Sequence, residues 1–207
     1  MNTRIATAMA ALLVAGLAGS QPAHAQGATT LQNEQLMLQM PSGTWKPVSQ
    51  RRDNAITMIE YVPEGQTGEK WDAMITVQIF HGLTTGLEQY MALFKQSYES
   101  RQPCEESTFD VARRGTTLGI DRALGIMICT KNKQSGQGEL AMIQAMRGKD
   151  AMYVVQRAWR GAAYTTDKIP LETDVARDWI GFLERAWVCD TREAARPCPT
   201  APGAAPK

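Results

Sequence analysis

With 207 residues, 22 lysines and arginines and 21 aspartates and glutamates, the chain carries a formal charge of only +1. That balance excludes a general pull toward nucleic acid or anionic lipid, because phosphate binding needs a basic face and the strongest basic run is Lys131-Asn132-Lys133 at an expected hairpin tip. The length suits one domain with a sizeable core, and no stretch beyond residue 25 is long and apolar enough to predict a transmembrane segment.

The first element is an address. Arg4 supplies a positive start, Ile5 to Gly19 form a short apolar run, and Ala23-His24-Ala25 reads as a signal-peptidase site. Residues 1–25 are therefore expected to be a cleaved signal peptide, with the mature chain starting at Gln26. No cysteine precedes Cys104, so no lipid-acceptor cysteine follows the leader. The expectation is a periplasmic or secreted protein. Cleavage removes one of the 22 basic residues and matches the remainder to the 21 acidic ones.

Residues 36–40 and 45–49 predict short strands around Pro41-Ser42-Gly43, and Ala55 to Val62 predicts a third that ends at the turn Pro63-Glu64-Gly65-Gln66. Ala73 to His81 alternates, with Ile75, Val77, Ile79 and His81 on one face. Both faces are partly apolar, which predicts an inner strand. Thr85-Gly86-Leu87-Glu88 fits a capping box, and Leu87, Tyr90, Met91, Phe94 and Tyr98 make a helical stripe that stops before Pro103. Strand patterns follow over 108–113, 122–130, 140–147 and 152–160, the last two as a hairpin around Gly148-Lys149-Asp150. A second helix is expected after Pro170, capped by Thr173, with Val175, Trp179, Phe182, Leu183 and Ala186 as its buried stripe. From Thr191 a proline-rich tail is expected to be disordered except where Cys198 is tied down. The reading is one domain over residues 26–190 and a tail over 191–207.

The mature chain has four cysteines, Cys104, Cys129, Cys189 and Cys198. An even count in an exported chain predicts two disulfides among three connectivities, and Cys104–Cys129 with Cys189–Cys198 is favoured. No C-x-x-C suggests a redox pair, and one remaining histidine argues against zinc.

This order of elements predicts an α+β fold, one mostly antiparallel sheet with helices packed on its faces. Across residues 36–188 it resembles the PsbP-like α/β sandwich, named after an extrinsic photosystem II subunit. Glu60-Tyr61-Val62-Pro63-Glu64-Gly65-Gln66, with Trp71 and Met74 to Gln78, is similar to a stretch in exported bacterial proteins. The resemblance implies the sandwich and carries over no functional residue.

His81 is the only imidazole left after cleavage, so histidine-based triads and metal sites are scarce from the outset. It is read as a hydrogen-bonded structural residue, with ligand binding as its functional alternative. Trp71, between the Gly68-Glu69-Lys70 loop and the alternating strand, is the other ligand-binding candidate; closing the rim of the core is its structural role. Glu60 with Glu64 and Glu105 with Glu106 are acidic pairs on solvated surface. Met37 with Met40 and Met142 with Met146 raise Cu(I) binding through thioethers, against ordinary gap filling in the core. No catalytic residue, metal ligand or cofactor is assigned. The expected function is a non-catalytic exported domain that binds an envelope protein partner or a small ligand. A small periplasmic hydrolase using carboxylates or His81 is the alternative, and methionine-based copper binding a further one.

Overall fold

The computed structural model describes residues 33–100 and 103–199. The expected signal peptide and the last prolines, Pro202 and Pro206, lie outside them. Chain order is β1 (Glu34–Met37), β2 (Trp45–Arg52), β3 (Ile56–Pro63), β4 (Ala73–His81), α1 (Leu87–Ser100), β5 (Ser107–Thr117), β6 (Ile120–Cys129), β7 (Gln137–Arg147), β8 (Ala151–Ala162), α2 (Thr173–Glu184) and β9 (Trp187–Asp190). Seven strands form one antiparallel sheet in the order β2-β3-β4-β8-β7-β6-β5, and β1 pairs with β9 as a separate ribbon. The α+β sandwich read from the sequence is the fold.

Period-two patterning divides the sheet's faces. In β8, Ala151, Tyr153 and Val155 join Leu140 and Met142 of β7 under Trp179, Phe182 and Leu183 of α2. The alternate residues Met152 and Val154 join Ile143, Ala145 and Phe109 under Leu87 and Met91 of α1. Each helix thus covers an opposite face, and an inner strand needs apolar side chains on both. Burial on this scale is the main favourable term, at roughly 25 cal/mol per Å² of apolar surface. β4 is an inner strand as expected, between β3 and β8.

Several local expectations change. Glu88 does not close a capping box among the bonds observed; its carboxylate receives Arg114 Nε at 2.8 and 3.0 Å. Thr173 is the first residue of α2 and Glu172 its cap, without a side-chain bond, while Asp174 Oδ1 accepts from the Val175 amide at 2.9 Å. Val175 is 40% exposed, so the buried stripe of α2 starts at Trp179. Beyond Thr191 the described residues are packed through Arg196, which is 4% exposed, and not through Cys198 alone.

Both expected disulfides are present, Cys104–Cys129 and Cys189–Cys198. The first ties the segment just before β5 to the end of β6. The second closes the segment after β9. Gly148, at the β7–β8 turn, has a reason to lack a side chain: a Cβ there would meet the Glu34 carboxylate and come within 2.8 Å of the Tyr153 ring. Among the described residues no helix is long and apolar enough to cross a membrane.

Candidate functional site

Because α1 lies over β5, β6 and β7, part of the same sheet face, on β3 and β4, has no helix over it among the described residues. The gap beside α1 is a groove of about 520 Å³. One wall is aromatic: Phe80 from β4 and Tyr90 from α1 have ring centroids 5.8 Å apart, and Tyr90 and Phe94 6.3 Å apart. Phe94 also packs on buried Phe109 at 5.0 Å, which anchors the wall in the core. Tilted ring pairs at such spacings are favourable beyond the area they bury.

The groove also has polar edges. Tyr98 donates its hydroxyl to the Ile128 carbonyl at 3.0 Å. Gln156 Nε2 donates to Gln78 Oε1 at 3.3 Å, and Gln78 Nε2 lies 3.6 Å from Met58 Sδ. Burial pushes the Tyr90 and Tyr98 hydroxyls well above the ordinary tyrosine range, Tyr98 further through Tyr164 and Glu139. Both stay neutral at ordinary pH. Leu93, on the groove lining, is 52% exposed. The arrangement suits an apolar group flanked by a hydrogen-bonding edge; it contains no nucleophile paired with a base.

The two ligand-binding candidates from the sequence do not meet. They bound opposite ends of β4, roughly 30 Å apart at the rise of an extended strand. Trp71 is half-buried, with the Arg160 guanidinium 3.9 Å from its ring centroid, and Arg160 Nε pairs with Glu139 at 3.0 Å. That face of the indole is occupied by a cation held in turn by a carboxylate. His81 Nε2 lies 2.9 Å from Thr57 Oγ1. Burial, chiefly, and Arg52 lower its pKa below the ordinary value, with Asp53 opposing, so the ring is neutral at pH 7. Gln78 and His81 point to opposite faces, as the strand period requires.

The other candidates separate as well. Glu105 pairs with Lys131 at 2.7 Å. Met142 and Met146 are core residues on the α2 side of the sheet. Among the described residues no group of three or more His, Cys, Asp or Glu is arranged to hold a metal ion.

The groove itself was missed from sequence. In the sequence Tyr90, Phe94 and Tyr98 show only a core stripe, whereas they cover the core with one side and line a concavity with the other. One signal was present: Leu93 is a large apolar residue outside that stripe.

No family model matches the chain, and no curated protein does. Among solved structures it is similar to the Ran-binding protein Mog1p of Saccharomyces cerevisiae, with 13% sequence identity, 78% of this chain and 98% of that chain covered, and a TM-score of 0.48.

Proposed function

We propose that this is an exported, non-catalytic binding domain that holds the apolar or aromatic group of a small ligand in the groove between α1 and β4. The observation that carries the reading is exposed Leu93 on a concavity walled by Phe80, Tyr90 and Phe94. An aromatic wall with neutral hydroxyls and a glutamine edge favours desolvation of an apolar group and orients its polar end. The leader over residues 1–25 and the two bridges support an oxidising compartment, periplasmic or secreted. In this reading Trp71 and His81 are structural, at the two ends of the strand that floors the groove.

The test uses the fluorescent probe 1-anilinonaphthalene-8-sulfonate and the Leu93→Gln variant, which adds no charge to attract the probe's sulfonate. Half-exposed Leu93 contributes little to folding, so the variant should unfold at the same temperature as the parent. The parent should bind the probe saturably, and Leu93→Gln should weaken that binding roughly tenfold by removing an apolar contact. Equal binding by a folded variant, or none by the parent, rejects the groove.

A further inference from the structure

A second concavity lies on the opposite face, where Glu184 at the end of α2 meets Arg113 of β5 and Arg122 of β6. It encloses about 380 Å³, within the range of roughly 300–1,000 Å³ usual for small-ligand pockets. Its lining includes Arg113, Gly115, Arg122, Leu124, Gln144 and Glu184. Strand register explains the assembly. Arg113 pairs with Leu124 and Gly115 with Arg122, and Leu124 faces α2, so alternation turns Arg113, Gly115 and Arg122 the same way.

The charges in this cavity do not cancel. Arg113 is ion-paired with Glu184, and Arg114, also on the lining, with Glu88. Arg122 is half-buried, and its bonds go to neutral oxygens: Nη1 donates to Thr117 Oγ1 at 3.3 Å and Nη2 to the Glu184 carbonyl at 3.1 Å. Among the described residues no carboxylate forms an ion pair with it. Burial is the largest influence on this guanidinium and lowers its pKa, with Glu184 opposing and Arg113 adding to the fall. A half-buried cation whose nearby carboxylate is already paired with another arginine is stabilised by a further anion.

Gln144 is the second, independent observation. It is 1% exposed, and among the described residues nothing accepts from its Nε2. Its neighbours on this face of β7 are Met142 and Met146, where an apolar side chain would be the simpler occupant. Buried amide donors are almost always paired, so an unpaired one lining a cavity beside a cation calls for an acceptor from outside the chain. One uncompensated positive charge and one spare donor match a singly charged oxyanion, and Leu124 supplies an apolar surface for the rest of the molecule.

We propose that this cavity binds a small organic monocarboxylate, its carboxylate held by Arg122 and the Gln144 amide and its apolar portion against Leu124. Arg113 adds positive potential while remaining paired with Glu184. The site is independent of the groove beside α1, on the other face of the sheet.

The probe is benzoate, with benzamide as its neutral counterpart, followed by nitrogen-15 NMR of the protein with both disulfides intact. Benzoate up to roughly 10 mM should shift the Gln144 side-chain amide and the Arg122 Nε–H saturably, whereas benzamide should not. Arg122→Met should weaken binding roughly tenfold or more. Gly115→Val gives a second reading that leaves the arginine bonds in place. A Cβ at Gly115 meets nothing within 4 Å, so valine is accommodated in the strand and takes up part of the cavity; it too should lower affinity at least roughly tenfold. The proposal is overturned by no saturable response to benzoate, by an equal response to benzamide, or by undiminished binding in folded Gly115→Val. Inorganic phosphate binding more tightly than benzoate also overturns it, since that assigns a phosphate-type ligand.

Discussion

Replacing Arg196 with methionine is expected to destabilise the fold by about 3–5 kcal/mol, because it leaves the buried Glu34 carboxylate without a counter-charge, while Asp190 keeps Arg192. The Glu34 and Asp190 side chains are 0% exposed and that of Arg196 is 4% exposed. Arg196 Nη2 donates to Glu34 Oε1 at 3.0 Å and to Asp190 Oδ2 at 3.3 Å, bridging β1 to the end of β9. Glu34 also accepts the Lys149 amide at 2.8 Å and the Asp150 amide at 2.9 Å, so it fixes the β7–β8 turn. The arginine therefore neutralises a junction where the first strand, the central hairpin and the tail meet. Guanidinium denaturation should show a lower midpoint with an unchanged slope. A loss under about 1 kcal/mol would place this cluster with ordinary surface pairs.

The same cluster predicts a pH dependence. Hydrogen bonds from Arg192 foremost, with the charges of Arg192 and Arg196, hold the Asp190 carboxyl at about 2 against an ordinary 3.8, and burial opposes them. The folded value lies below the unfolded one, so this contribution is complete above pH 3.8 and drains away as the pH falls through about 2. Asp190→Asn should lose the corresponding slope of stability against pH. Parallel slopes for parent and variant would show that Asp190 is not the group responsible.

The elements legible in the sequence are those whose signal is local. Alternation from Ala73 to His81 reports burial on both faces, and the stripe from Leu87 to Tyr98 reports a single one; neither needs knowledge of a distant partner. The β1–β9 ribbon was not legible, because four-residue strands carry little period and Glu34 meets Asp190 only through long-range pairing. Arg196 looked like part of a solvated tail for the same reason: its partners come from β1 and β9. Gln144 sits in an apolar strand, where its type is visible but its missing acceptor is not. The candidate groove depends on how far α1 reaches across the sheet, which no side-chain pattern encodes.

Reducing both disulfides is expected to remove about 6 kcal/mol, comparable with the whole stability of many domains at roughly 5–15 kcal/mol. Loop-closure entropy for bridges separated by 25 and 9 residues supplies about 3.5 and 2.6 kcal/mol. The two loops do not overlap, so these parts add. The shorter bridge does more than its length suggests, because the segment it closes, from Cys189 to Cys198, contains both Asp190 and Arg196. Cys198→Ala should therefore also loosen the Arg196 clamp on Glu34, and its effect should be non-additive with Arg196→Met by more than about 0.5 kcal/mol. Additive losses would separate the bridge from the buried ion cluster. Melting the protein with and without dithiothreitol tests the larger claim. A melting temperature indifferent to the reductant would mean that the fold does not depend on oxidised sulfur, and the export reading would lose its energetic argument.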